Sequence, residues 1–137
     1  MLNFSLAKAR HLRMGRYGEN AACRLLRRKG YVVLARNYKT PRGEVDIVAR
    51  DGAILSFVEV KTRRWRPGRD RSVSPLSRWQ ARRIKRAAME YLDELEHPKV
   101  FWRFDLIEIC VSRFGVKELF HWKGNFGKRE AGGGDRA

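Results

Sequence analysis

Cysteine is scarce in this chain: Cys23 and Cys110 are the only two among 137 residues. They fit no CxxC spacing and make a poor disulfide framework, which excludes a disulfide-stapled scaffold and points to a reducing compartment. No stretch approaches the about 18 consecutive apolar residues of a membrane span, so no membrane partner is expected. The start, MLNFSLAKARHLRMG, is basic and free of acids. It lacks the apolar core and small-residue cleavage site of a secretory signal, so a cytoplasmic location is expected. Histidine is limited to His11, His97 and His121, too scattered to suggest a ligand set. No glycine-rich phosphate loop and no Ser/His/Asp arrangement is present, which argues against a nucleotide-loop enzyme or a serine hydrolase. No internal repeat occurs.

Acids are also few. Asp and Glu total 15 against 31 Lys and Arg, a formal net charge of +16. A surface of that sign attracts polyanions, nucleic acid first among them. Arg outnumbers Lys 22 to 9, and its planar fork matches phosphate bidentately. With 43% hydrophobic residues, the chain can bury one core of ordinary size and fits one domain.

Hydrophobic periodicity predicts a helix over 16–29, with Ala21, Ala22, Leu25 and Leu26 as its apolar stripe and Gly30 as its stop. Strands are expected at 31–39, 44–50 and 53–63, with a turn at 40–43 and the Asp51-Gly52 pair marking a tight hairpin. A basic loop follows at 64–74. A second helix is expected from Pro75 to Leu95, capped by Ser74, with Trp79, Ile84, Ala87, Ala88, Tyr91 and Leu92 at helical spacing. Two more strands fit 101–111 and 115–122. The order implies an α/β single domain with a central mixed β-sheet flanked by helices. Residues 1–14 read as a basic arm, 15–124 as the domain, and 125–137 as a disordered Gly-rich tail.

The stretch FVEVKTRR (57–64) carries Glu59 and Lys61 within an otherwise apolar strand, where charge is rare unless paired or bound to metal. With Asp51-Gly52 as the turn, Val48 pairs with Leu55, Asp46 with Phe57 and Glu44 with Glu59. Glu44, Asp46, Glu59 and Lys61 then share one face. Asp46 lies diagonal to Glu59, at an expected separation of roughly 7–8 Å, a gap that a hard cation such as Mg²⁺ can bridge. Reversed parity would remove the constellation. Lys61 can orient a water or neutralise phosphate charge. The alternative is an ion-paired set on a half-exposed sheet face. Glu19 borders the apolar stripe of the first helix; it is either a fourth site acid or a first-turn acid favoured by the helix dipole.

The pattern GEVDIV (43–48) followed by FVEVKTR (57–63) resembles the D…(D/E)xK signature of the restriction-endonuclease-like superfamily. Asp46 matches its Asp, Glu59 and Lys61 match its ExK, and Glu19 matches the added acid of the Holliday-junction-resolvase-like branch. Over about residues 15–122, five ordered blocks are similar to the YraN-type family of small bacterial proteins: GRYGENAACRLLRRKGYVVLARNY, RGEVDIVARDG, FVEVKTR, QARRIKRAAMEYL and RFDLIEI. The resemblance implies a restriction-endonuclease-like fold, Mg²⁺ or Mn²⁺ at Asp46 and Glu59, and endonuclease-like action on DNA, including branched or structured forms. It implies that Lys61 positions the attacking water, that Glu19 assists, and that a homodimer is possible, the strand ELFHW offering an edge.

Arg42, Arg63, Arg64, Arg66 and Arg69 are expected to hold the nucleic-acid backbone. Trp65 either stacks on a base or packs on the second helix. Gln80 either replaces a basic residue of the family or is an exposed helix residue, and Arg103 with Asp105 reads as a structural ion pair. The alternative function is a non-catalytic DNA- or RNA-binding module of the same fold.

Overall fold

A computed structural model describes residues 4–68, 76–96, 99–124 and 134–136, with the backbone alone for 4–12 and 134–136. The strands β1 (Val32–Thr40), β2 (Gly43–Asp51), β3 (Ile54–Arg64), β4 (Phe101–Ser112), β5 (Gly115–Trp122) and β6 (Gly134–Arg136) form one sheet in chain order. Helix α1 (Phe4–Arg28) precedes them and α2 (Arg78–Glu94) lies between β3 and β4. Every neighbouring pair is antiparallel except β3–β4. A parallel pair needs a crossover, and α2 lies in it. This is the predicted single-domain α/β architecture, a mixed sheet flanked by helices, and it is compatible with a restriction-endonuclease-like fold.

Strand alternation sends successive side chains to opposite faces. Ile47, Ala49, Val58, Ile107 and Ile109 pack with Ala21, Ala22, Cys23, Leu25 and Leu26 of α1. Val45, Val48, Leu55, Phe57 and Phe104 pack with Ile84, Ala87, Ala88 and Leu92 of α2. Both cysteines are buried and free. Among the described residues, no helix is long and apolar enough to cross a membrane.

Several boundaries differ from expectation. Helix α1 begins at Phe4, so most of the expected basic arm continues the helix; no proline interrupts it. Helix α2 begins at Arg78. Ser77 Oγ accepts the Gln80 N–H at 3.1 Å, and the Gln80 side chain accepts the Ser77 N–H at 3.1 Å. This reciprocal capping box sets the start; the expected cap Ser74 and Pro75 lie outside the described residues. Trp79, expected in the apolar stripe, is exposed beneath the Arg83 guanidinium. Gly134–Arg136, within the expected disordered tail, pair with Trp122–Phe120. The ELFHW strand is therefore covered at that edge rather than open for a dimer.

Arg83 fixes where α2 sits. A Cβ built on Gly43 would lie 1.9 Å from the Arg83 carbonyl oxygen and 2.6 Å from its carbon. Both are backbone atoms, so the helix itself would have to move. Gly43→Ala is expected to cost about 3 kcal/mol, read as a lowered urea midpoint. Gly15→Ala on α1, where the new Cβ meets nothing within 4 Å, is expected to be neutral or stabilising by about 0.5–1 kcal/mol.

On β4, level with Val58 of β3, fully buried Asp105 organises a polar cluster. Its carboxylate accepts from Ser56 Oγ (2.6 Å), His121 Nε2 (2.9 Å), Arg103 Nε (3.0 Å) and Gly124 N (2.9 Å). Arg103 also donates to Tyr31 Oη (2.6 Å) and Asp51 Oδ2 (3.2 Å). The Arg103–Asp105 pair is thus structural, and His121 is a satisfied core histidine.

Candidate functional site

The β2–β3 ladder positions the site. Its turn is Gly52-Ala53, since Asp51 pairs with Ile54 and Arg50 with Leu55. Gly52, at φ 58°, takes the one left-handed position, as a type II′ turn requires, and Asp51 avoids it. Relative to the expected register, each partner shifts by two residues, so the parity survives. The shift places Asp46 level with Glu59 rather than diagonal to it.

The paired ladder ends at Ile47–Val58, although both strands continue. Past that point the Val60 N–H donates to Asp46 Oδ2 at 2.8 Å instead of to a β2 carbonyl. The carboxylate therefore occupies the gap where the strands part. Asp46 and Glu59 hydrogen-bond each other, and Lys61 Nζ lies 3.5 Å from Glu59 Oε1. Glu59 and Lys61 are half-buried, their side chains 14% and 28% exposed.

The electrostatics follow from that burial. Desolvation, then the charge of Asp46 and its hydrogen bond, push the Glu59 carboxyl up to about 8, with Lys61 opposing. Asp46 is also raised, by desolvation first, against the Val60 N–H. Two carboxyls this close cannot both ionise cheaply, so at neutral pH the pair shares a proton. Oxygen donors that hold a proton for want of positive charge fit a hard divalent cation, which is bound through one or two carboxylates and keeps several waters. No group of three or more His, Cys, Asp or Glu with metal-holding geometry occurs among the described residues. Any cation here would rest on these two carboxylates.

Glu19 borders the site without joining the pair. Arg36 Nε and Asn37 Nδ2 donate to its Oε1 at 3.2 and 3.0 Å. Burial raises its carboxyl, and Asp46 lies close enough to raise it further. Asn37 has φ 51°, a conformation asparagine tolerates better than most residues. Arg36 and Asn37 escaped sequence reasoning: no alternation pattern marks a clamp on a helix from a neighbouring strand.

The five arginines divide. Arg42, in the β1–β2 turn, Arg64, the last residue of β3, and Arg66, just past it, are exposed. Arg63 turns inward, its Nε 3.4 Å from buried Glu108. Arg69 lies outside the described residues. Trp65 packs neither on α2 nor open for stacking. It donates from Nε1 to Glu118 (3.2 Å) under Lys117, against β5.

A second basic surface was missed. Arg78, Arg82, Lys85 and Arg86 are exposed on α2, which carries no acid before Glu90. The Arg83–Gly43 contact puts this half of α2 three residues from Asp46. Gln80 is half-buried and engaged in the helix cap, which accounts for it structurally. A charge count taken segment by segment would have found this stripe.

Comparison with known proteins agrees with the ordered blocks. The model of the uncharacterised protein family UPF0102 matches residues 18–109. A UPF0102 protein of Parafrankia sp. (strain EAN1pec) is 41% identical over 116 residues, covering 83% of this chain and 96% of that protein. One from Streptomyces griseus subsp. griseus is 42% identical over 112 residues, covering 81% and 93%. One from Chlorobaculum tepidum is 43% identical over 106 residues, covering 77% and 81%. With a family model across most of the fold and such relatives matched over most of their length, the chain belongs to the UPF0102 family, the YraN-type family that its motif blocks resemble.

Proposed function

We propose that this protein is a metal-dependent endonuclease acting on DNA phosphodiesters, branched or structured DNA included. The observation that carries the reading is the Asp46–Glu59 pair. Two half-buried carboxyls share a proton where β2 and β3 part, and a lysine lies 3.5 Å from one of them. Maintaining such a pair costs stability, and a structural ion pair would not need the second acid.

Asp46 and Glu59 would hold Mg²⁺ or Mn²⁺, which when bound supplies positive charge at the scissile phosphate and lowers the pKa of water. The Val60 N–H fixes the Asp46 carboxylate in place. The Lys61 ammonium donates hydrogen bonds that orient a water toward the phosphorus and offset charge developing on the phosphoryl oxygens. Glu19, held by Arg36 and Asn37, positions a second water or cation at the edge of the site. Arg42, Arg64, Arg66 and the α2 stripe bind backbone phosphates. A homodimer would present two such sites to the two strands of a branched substrate.

The test is cleavage of single-stranded, duplex and four-way-junction DNA by wild type and Asp46→Asn, with EDTA, Mg²⁺ or Mn²⁺. Cutting is expected with metal only, and Asp46→Asn is expected to fall to background while still folding, because it removes one of two mutually repelling acids. Equal DNA binding by both proteins with no cutting under any metal would replace the enzyme with a binding module. Tighter binding to structured RNA than to any DNA would make RNA its ligand.

A further inference from the structure

The turn between β4 and β5 carries Phe114, which is 92% exposed. The turn is braced rather than loose. Ser112 Oγ accepts the Phe114 N–H at 3.2 Å and donates to the Gly115 carbonyl at 3.4 Å. Gly115 has φ 118°, which a side chain rarely tolerates. The ring is therefore held out at a fixed position.

That position is at the candidate site's end of the sheet. β3 and β4 run parallel, with Lys61 level with Glu108 and Arg64 level with Val111. The Trp65 N–H donates to the Val111 carbonyl at 2.8 Å, which ties the start of the basic loop to this edge. Phe114 lies three residues beyond Val111. Glu59 is level with Leu106, so at ~3.3 Å per strand residue Phe114 sits about 20–26 Å from the carboxylates, roughly six to eight base steps along a strand. Its chain neighbour Arg113 is exposed, as are Arg64, level with Val111, and Arg66. On α1, Tyr17 is 42% exposed, and its hydroxyl lies 3.4 Å from where a Cβ on Gly115 would sit.

A phenyl ring gains nothing from a phosphate backbone. In a continuous duplex the base faces are stacked away. Where a strand leaves the duplex, a base face is open to an aromatic ring, and stacking there does not depend on which base it is. We infer that Phe114 is a base-stacking subsite for an unpaired or terminal base at a branch point, roughly six to eight nucleotides from the phosphodiester bound at Asp46 and Glu59. This rests on the nucleic-acid reading above and narrows it: the preferred ligand is DNA with an opened base within about one helical turn of the bound phosphate, not uninterrupted duplex.

The experiment is fluorescence-anisotropy binding in EDTA, so that nothing is cut. It uses a labelled duplex and a splayed fork sharing its sequence, with wild type, Phe114→Ala and Phe114→Trp. Wild type is expected to prefer the fork. Phe114→Ala is expected to lose about tenfold or more on the fork and to leave duplex binding within about twofold; Phe114→Trp restores the fork preference. Melting curves confirm that the variants fold. Unchanged fork binding by Phe114→Ala, or equal loss on fork and duplex, would overturn the subsite. Wild type that binds neither DNA overturns the nucleic-acid reading, and the subsite with it. Fork preference lost in Phe114→Ala supports the subsite even if no metal brings about cleavage.

Discussion

Asp105→Ala is expected to remove about 3–5 kcal/mol of folding stability, a large share of the roughly 5–15 kcal/mol a domain of this kind possesses. The carboxylate is fully buried. Desolvation alone would raise its pKa. The hydrogen bonds from His121, Ser56, Arg103 and the Gly124 N–H outweigh that and hold it at about 2. Removing it leaves the Arg103 guanidinium, the His121 ring and the Ser56 hydroxyl facing a void. Each then bears the cost of an unmade buried bond. Urea unfolding of Asp105→Ala beside Ser56→Ala measures this. The serine variant, which loses one donor, should cost about 1–2 kcal/mol, and near-equal stability of Asp105→Ala and wild type would refute the network's role. Because the folded pKa lies below the ordinary 3.8, the contribution is complete above that pH. It fades only as pH falls toward 2, below the range in which the other acid pair acts.

The second large effect runs the opposite way with pH. Glu59 is raised from 4.5 to about 8 and Asp46 is raised with it. A carboxyl with a higher pKa folded than unfolded stabilises the fold fully below about 4.5. That stability is lost as pH rises through about 8. Metal-free protein is therefore expected to lose on the order of 2–4 kcal/mol between pH 5 and pH 9 from this pair. Glu59→Gln, neutral throughout, should flatten the profile. Added Mg²⁺ or Mn²⁺ should restore more stability at pH 8.5 than at pH 6, because at low pH the cation must displace a proton. Thermal melts across pH, with and without metal, give the answer. A flat wild-type profile in EDTA would contradict the shared proton.

How much of this was legible in the sequence depends on which physical rule each feature obeys. The facing of Asp46, Glu59 and Lys61 was legible because strand side chains alternate with period two. The turn was misplaced by one residue, yet the parity survived, since moving a two-residue turn along the chain shifts partners in steps of two. The gap beyond Ile47–Val58 was not legible, because a ladder that stops early leaves no trace in residue types. The start of α1 was missed because the first turn of FSLAKARHLRMG carries no acid. The start of α2 was legible in hindsight as S-x-x-Q at Ser77–Gln80, a stronger signal than the Ser74-Pro75 pair. Trp79 was placed in the core by spacing alone, whereas its neighbour Arg83 covers it from outside. The covering of β5 by β6 depends on a return of the chain that composition cannot show. Arg63 was expected to face phosphate, and the buried Glu108 on the adjacent strand holds it instead.

The single parallel pairing, β3 against β4, also bears on how the chain acquires its shape. Joining these strands closes a loop across residues 65–100, and contacts so distant in sequence slow folding because closure entropy precedes their gain. Asp46 and Glu59 lie on a short hairpin on the near side of that closure. The carboxylates can therefore meet within a local element that forms early, while the strand that seals the sheet beside them arrives late. A nascent chain emerging N-terminus first would bring the two acids together before β4 existed to bury their surroundings.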